Sequence, residues 1–213
     1  MKEAYIRFMA PVIPQTADQL FRTVDQLVAA GYERIHLSIS SPGGSVFHGL
    51  SIYNFLKGLP TEVYTYNFGS VDSIASVIFS SGSKRFSVPH ARFLLHGVTL
   101  TLPGNIGFDE KALEESLKSL QIDQANIAKV IADTCGKELG AVEKDMNDRT
   151  ALNPVQAKQY GLVTEIKSEL FPAGGQLINI YEPQQQQMML NPAASFQIPS
   201  MPVNGADTIP DSN

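Results

Sequence analysis

The sequence of residues 34–57 is RIHLSISSPGGSVFHGLSIYNFLK. Its beginning alternates polar and apolar residues with a period of two, which is typical of a β-strand, and Pro42, Gly43 and Gly44 follow as a turn signal. From about Val46 to Lys57 the pattern is that of a helix. This stretch therefore predicts a strand, a tight glycine turn and a helix in succession.

The same unit recurs in the next part of the chain. Residues 62–66 predict a strand, Gly69 predicts a turn, and small apolar residues from about Ser73 to Ser81 predict a helix. Two more strands are predicted at 84–88 and 92–95. Strands that alternate with helices of this length favour right-handed βαβ crossovers and a mostly parallel sheet in an α/β fold.

The flanking segments extend this pattern. On the N-terminal side, residues 4–9 predict a strand, and residues 16–19 predict a capping box that opens a helix. On the C-terminal side, a stripe of leucine and isoleucine predicts one long helix at 109–134 that needs a surface to pack against. A short helix at 153–161 and a strand at 162–166 are predicted to follow.

Length and composition indicate one compact domain followed by a tail. The chain has 213 residues, of which 43% are hydrophobic, enough for a single substantial core. After Tyr181 the sequence becomes rich in glutamine and proline and loses any period. We therefore predict a domain at 1–182 and a disordered tail at 183–213.

The charge and cysteine content exclude several classes of function. The chain carries 16 Lys and Arg against 21 Asp and Glu, with no block of basic residues, so nucleic acid is not an expected partner. The single cysteine, Cys135, cannot form an internal disulfide and is predicted to be a core thiol. Neither a signal-peptide pattern nor a membrane-length apolar run is present in the sequence, which favours a cytoplasmic protein.

Ser73 and His96 are the candidate catalytic side chains. Ser73 opens a predicted helix directly after a strand, where free backbone N–H groups favour a developing oxyanion. The N–H of Ile74 would be one donor, and the N–H of Gly44 a second, because glycine has no Cβ to block a substrate. His96 ends an apolar strand and could accept the serine proton. Taken singly, these signals favour a helix-capping role for Ser73 and a structural role for His96 over catalytic roles.

The ordered combination of these motifs resembles the Clp protease proteolytic subunit family over most of the chain. The likeness covers roughly residues 4–166 and lies in motifs that follow one another in the family's order. They are SPGG at 41–44, GLSIY at 49–53, GSVDSIAS at 69–76, KRF at 84–86 with RFLLH at 92–96, the long helix at 109–134 and YGLV at 160–163.

This resemblance implies a fold and an activity. The fold would be a ClpP/crotonase-like spiral of repeated β-β-α units, with the long helix as the protruding handle through which two rings of subunits meet. The activity would be that of a serine endopeptidase acting on peptides or unfolded proteins. Ser73 would be the nucleophile, His96 the general base, and Gly44 and Ile74 the oxyanion hole, with no metal or cofactor.

The resemblance also implies partners. The chain would form a homo-oligomeric ring. The family's usual N-terminal segment, which helps to engage a hexameric AAA+ ATPase, has no counterpart before the first predicted strand. An ATPase partner and ATP dependence are therefore left open.

The third member of the triad is where the sequence departs from the family. Counted back from Tyr160, the usual aspartate position falls on Arg149. A one-residue insertion would restore Asp148 to the role, which is our prediction, with Asp145 as the rival and two merely solvated acids as the third interpretation. Asp72, beside the nucleophile, is expected to point away from the site.

Three other functions compete with an endopeptidase of unfolded proteins. A crotonase-like acyl-CoA enzyme would share the fold and the two backbone donors but would not need Ser73 or His96. A non-catalytic ring subunit or scaffold would tolerate the displaced acid. A phage head-processing or signal-peptide-type peptidase would use the same catalytic pair on other substrates.

Overall fold

A computed structural model describes residues 1–101, 104, 107–172 and 176–182 of the chain. The predicted tail at 183–213 lies outside these residues. Within them the strands, β1 to β8, are Glu3–Met9, Arg34–Ser41, Glu62–Asp72, Lys84–Ser87, Arg92–Leu94, Ala151–Leu152, Glu165–Ile166 and Leu177–Tyr181. The helices, α1 to α6, are Pro14–Ala29, Val46–Lys57, Ala75–Ser80, Glu110–Cys135, Leu139–Asn147 and Pro154–Tyr160.

The strands form one mostly parallel sheet, which confirms the predicted α/β fold. Its main path runs β6, β5, β3, β2, β1 and β8, and β4 joins β3 to β7. Among the described strands, the pairing of β5 with β6 is the antiparallel one. The long strand β3 pairs through its first half with β4 and through its second half with β5. The end of β3 therefore lies beside the end of β5, and the catalytic candidates follow these two strands.

The turn predicted at Gly69 is wrong, because β3 continues through this residue to Asp72. The pairing of β2 with β3 shifts register between Ile39 and Ser41, as at a β-bulge. A Cβ atom on Gly69 would lie 2.8 Å from Ser40 Oγ, so glycine permits a close approach of the two strands there. The chain instead turns at Ser73.

The capping box predicted at residues 16–19 is also displaced. Helix α1 begins at Pro14, because proline at the first helical position has its φ angle already set for a helix. The hydroxyl of Thr16 accepts a hydrogen bond from the N–H of Ile13 at 3.1 Å and donates to the carbonyl of Pro11 at 2.7 Å. Thr16 therefore caps the helix from inside its first turn.

The long helix α4 confirms the prediction for 109–134. The Asp109 carboxylate accepts a hydrogen bond from the N–H of Ala112 at 2.8 Å, and Gly136 ends the helix in the left-handed conformation. Ile127 and Ile131, in its C-terminal half, are buried in the core. Like the other helices of the described ranges, α4 is not both long and apolar enough to cross a bilayer.

Three elements near the C-terminus were not predicted from the sequence. Helix α5 and the two-residue strand β6 follow α4, and β6 lies against β5. Strand β8 adds a parallel edge strand next to β1. Helix α5 and strand β6 flank the loop that carries Asp148, and hydrogen bonds to Leu95 and Gly97 hold this segment next to His96.

Candidate active site

Ser73 sits on a sharp turn between β3 and α3. Its φ angle is 58°, a conformation that residues other than glycine seldom adopt. The N–H of Ser73 donates to the carbonyl of Leu94 at 2.8 Å, and its carbonyl accepts from both the N–H and the hydroxyl of Ser76. Hydrogen bonds on both sides thus stabilise the strained backbone, as is common at functional sites.

The glycine turn packs directly against this serine. Gly43 and Gly44 have φ angles of 88° and 143°, in the region that favours glycine. A Cβ on Gly43 would lie 2.6 Å from Ser73 Cβ, and a Cβ on Gly44 would lie 2.3 Å from the carbonyl oxygen of Val12. Val12 also holds the turn, since its N–H donates to Gly43 O at 2.7 Å and its carbonyl accepts from the N–H of Ser45 at 2.8 Å.

The two predicted oxyanion donors are backbone N–H groups without a hydrogen-bond acceptor in the described part of the protein. Within the described residues, the N–H groups of Gly44 and Ile74 donate no hydrogen bond. Gly44 belongs to the glycine turn, and Ile74 is the N-cap of α3 directly after Ser73. Both groups therefore remain available to an oxygen atom that binds between the turn and the serine.

His96 follows β5 and is fixed by the backbone on either side. The N–H of Leu95 donates to Thr150 O at 2.9 Å, and the N–H of Gly97 donates to Met146 O at 3.0 Å. The imidazole Nδ1 lies 2.7 Å from the carbonyl oxygen of Gly97. Since a carbonyl only accepts hydrogen bonds, this contact favours the tautomer with the proton on Nδ1, in which Nε2 can accept a proton as a general base does.

One cavity joins these groups. A volume of about 120 Å³ is lined by Ser73, Ile74, His96 and Gly44, and by apolar residues of α4 and α5 that include Met146. Within the described residues, no hydrogen bond joins Ser73 Oγ to the His96 ring. The structure thus brings four of the five predicted site residues around one cavity. The hydrogen bond from Ser73 Oγ to His96 that proton transfer requires is not formed among the described residues.

The predicted acid, Asp148, does not line this cavity. It is the C-cap of α5, its carboxylate is paired with the ammonium group of Lys144, and its side chain is 54% exposed. The rival Asp145 accepts a hydrogen bond from the Tyr160 hydroxyl at 2.8 Å. Burial and this hydrogen bond raise the pKa of Tyr160. Within the described residues, neither carboxylate is hydrogen-bonded to His96.

Extending the register of β5 and β6 past its paired residues points to Arg149, rather than Asp148, as the residue opposite His96. Leu94 pairs with Ala151 in the antiparallel β5 and β6 register, and continuing this register by two residues sets His96 against Arg149. Arg149 has a φ angle of 55°, the other positive value among described residues that are not glycine. The sequence count that placed Arg149 at the family's aspartate position therefore agrees with the strand pairing.

Sequence reasoning missed two polar residues beside the histidine. Gln124 of α4 accepts a hydrogen bond from the N–H of Val98 at 3.3 Å and donates to Asn147 Oδ1 at 3.2 Å. This pair holds the segment that follows His96. The sequence contains one weak indication of helix α5, whose last residue is Asn147. This is the pair of apolar residues Val142 and Met146, which lie four residues apart and are both buried.

Two other residues that the sequence singled out do not take part in the cavity. As expected, Asp72 points elsewhere: its Oδ2 atom pairs with Arg92 at 2.8 Å, while Oδ1 is buried without a hydrogen-bond partner among the described residues. Burial raises the pKa of the Cys135 thiol to about 11. The thiol is therefore protonated at neutral pH and a poor nucleophile.

A mostly parallel α/β sheet with Ser73, His96 and a glycine turn around one cavity is an arrangement typical of the hydrolase class. The family profile described as Clp protease matches residues 1–169, most of the chain. The chain therefore belongs to the Clp protease family, a family of peptidases, and the resemblance noted in the sequence is confirmed.

Individual relatives agree with this assignment. The chain is 32% identical over 171 residues to the ATP-dependent Clp protease proteolytic subunit 2 of Corynebacterium efficiens, covering 78% of this chain and 83% of the relative. It is 30% identical over 152 residues to the ATP-dependent Clp protease proteolytic subunit of Bdellovibrio bacteriovorus, covering 70% of this chain and 69% of the relative. A solved structure of a ClpP1 mutant from Listeria monocytogenes has the same fold, with a TM-score of 0.69, 24% identity, and coverage of 78% of this chain and 91% of that one.

Proposed function

We propose that the chain is a serine endopeptidase that cleaves peptides or unfolded proteins. The observation that carries this proposal is the shared cavity of Ser73 and His96, flanked by the free N–H groups of Gly44 and Ile74. Nucleophile, base and oxyanion donors are the three parts that acyl transfer from a peptide bond requires. The family match supports this activity over a crotonase-like acyl-CoA enzyme.

The reaction follows from the position of each group. Ser73 Oγ forms a bond to the carbonyl carbon of the peptide while its proton passes to His96 Nε2. The N–H groups of Gly44 and Ile74 stabilise the resulting oxyanion. When the C–N bond breaks, His96 returns the proton to the leaving amine, which leaves an acyl ester on Ser73. Water, deprotonated by His96, then hydrolyses the ester and restores the serine.

The assignment of Asp148 as the triad acid stays a prediction. In the described geometry the carbonyl of Gly97 holds the Nδ1 proton of His96, and so fixes the tautomer that an aspartate fixes in a complete triad. A neutral carbonyl stabilises the imidazolium less than a carboxylate would. We therefore propose that the Gly97 carbonyl holds the His96 ring in this arrangement, and that Asp148 as the triad acid is the alternative to be tested.

Asp148→Asn distinguishes these two arrangements. Because Asp148 is exposed and paired with Lys144, we expect the substitution to change kcat for peptide cleavage by less than about threefold. A triad acid would cost about 10⁴-fold, as the tautomer would be lost. Steady-state kinetics of wild type, Asp148→Asn and, as the matched control, Asp133→Asn would measure the difference. A fall approaching 10⁴-fold in Asp148→Asn alone would establish the carboxylate as the acid.

We further propose that the peptidase works as a homo-oligomeric ring in the cytoplasm. Leu113, Leu117 and Ile122 of α4 are 45%, 54% and 51% exposed in the single chain, so this helix offers apolar surface for a second copy. The curated relatives are named ATP-dependent, which supports an AAA+ ATPase as a further partner.

The activity is tested by labelling with a fluorophosphonate probe. We expect the probe to modify the folded chain at one residue, which peptide mapping by mass spectrometry identifies as Ser73, and the same preparation to cleave casein or short peptides. The size of the labelled species is measured in the same sample. Heat-denatured chain is the control and should remain unlabelled. A ring that neither takes the label nor cleaves either substrate would instead be the non-catalytic scaffold.

A further inference from the structure

A second, larger space opens directly from the catalytic cavity. This groove has a volume of about 620 Å³. It shares Gly44, Val46, Val98 and Thr99 with the cavity that holds Ser73 and His96. A peptide with its scissile bond at Ser73 would therefore have a path into the groove.

One face of α4 lines both spaces. Ala112, Glu115 and Asp123 border the groove, and Ile127 and Ile131 border the cavity. With a rise of about 1.5 Å per residue, Asp123 lies roughly 6 Å along the helix axis from Ile127, and Glu115 lies roughly 18 Å from it. Taking Ile127, which borders the cavity, as the level of the cleaved bond, and an extended peptide along α4 that advances about 3.3 Å per residue, we place Asp123 about two peptide residues from that bond and Glu115 about five.

The charged side chains that line the groove are all acidic. Among the described residues that line the groove, Glu115 and Asp123 are the charged ones. Neither forms a salt bridge with another described residue. On the other wall, the described lining residues Val98, Thr99 and Leu100 are uncharged. A substrate in the groove therefore meets the carboxylates of Glu115 and Asp123 and no cationic side chain of the described lining.

We propose that this groove makes the enzyme prefer peptides with a lysine or arginine about two residues from the cleaved bond, on the side that enters the groove. Asp123 is the specificity-determining residue, and Glu115 extends the preference to more distant basic residues. The inference rests on the proposed peptidase function, because the position is defined relative to the bond that Ser73 attacks.

The expected preference is modest and sensitive to salt. Partly exposed charge pairs contribute little individually, so we expect kcat/KM for lysine to exceed that for glutamate at this position by about five- to tenfold at low ionic strength. At about 0.5 M salt the ratio should fall towards one, because the Debye length becomes shorter than the distances across the groove. An apolar preference would not respond to salt in this way.

The test uses internally quenched peptides that differ only at one position, occupied by lysine, glutamine or glutamate. The position is moved along the peptide on both sides of the cleaved bond, and kcat/KM is measured at low and high salt. The variant carries Asp123→Asn and Glu115→Gln. Its matched control carries Asp133→Asn and Glu114→Gln, which change the charge of the same helix equally at positions that do not line the groove.

Wild type and control should favour lysine at one position, and the groove variant should not. Cleavage with equal lysine and glutamate rates at every position, or a preference that the groove variant retains, would overturn the inference while leaving the peptidase function intact. Binding of the same peptides to Ser73→Ala, measured by fluorescence anisotropy, separates the two proposals. A lysine preference in binding that depends on Asp123, without cleavage by wild type, would support the groove and overturn the peptidase. An absence of both binding and cleavage would overturn both.

Discussion

Replacing Ser73 with alanine is expected to lower kcat for peptide cleavage by about 10⁴- to 10⁶-fold. The hydroxyl is the atom that forms the acyl ester, so its loss leaves only the oxyanion donors and substrate binding to accelerate hydrolysis. The side chain makes no hydrogen bond with a described residue, and the turn is held by the backbone of Ser73. The variant should therefore keep the wild-type melting temperature.

The comparison for this variant is Ser70→Ala. Ser70 lies on the same strand and its hydroxyl accepts a hydrogen bond from Arg92 at 3.1 Å, but it does not line the catalytic cavity. We expect Ser70→Ala to retain kcat within a few fold. Steady-state assays with matched circular dichroism spectra make the measurement. If Ser73→Ala retained more than about a tenth of wild-type kcat, Ser73 would not be the nucleophile.

The parts of the site that could be predicted from the sequence are those set by local structure. A strand followed by two glycines and a helix predicts the position of Gly44. A strand followed by a helix of small residues predicts the position of Ser73. His96 follows from the end of an apolar strand. Their convergence could be expected because neighbouring parallel strands bring their carboxyl ends to one edge of the sheet.

The third member of the triad could not be predicted in this way. Its position depends on β6, which is two residues long, and on which residue of the loop faces His96 across an antiparallel pair. So short a strand has no period to detect, and one residue of register decides between Asp148 and Arg149. The Gly97 carbonyl that holds the imidazole is a backbone group, for which the sequence carries no signal.

The structural role of Gly69 is another feature that the sequence does not determine. In the sequence, a glycine after a run of strand residues is typical of a turn, and the pattern predicts the turn between strand and helix at Gly69. The structure uses Gly69 for close approach to Ser40 within the sheet and makes the turn at a serine with positive φ. A serine in the sequence gives no indication of a positive φ angle, because the hydrogen bonds to Leu94 and Ser76 impose this conformation.

Gly44→Ala is expected to have the second largest effect, a loss of about 10² to 10³ in kcat together with reduced stability. A Cβ at this residue would lie 2.3 Å from the backbone oxygen of Val12 and would require an unfavourable φ of 143°. The turn must therefore move, and the N–H of Gly44 moves with it away from the oxyanion. KM should change less than kcat, because the donor acts mainly on the transition state.

Gly140→Ala is the matched control for this substitution. A Cβ there meets no atom within 4 Å, and the residue lies inside helix α5, where alanine is favoured over glycine. We expect wild-type kcat and an equal or higher melting temperature. Because Gly44→Ala also lowers stability, its kcat is measured per mole of folded protein, from the fraction that unfolds cooperatively on heating. Unchanged kcat in the folded Gly44→Ala fraction would mean that the oxyanion is held by Ile74 and some other donor, so that the glycine turn serves only to pack against Ser73.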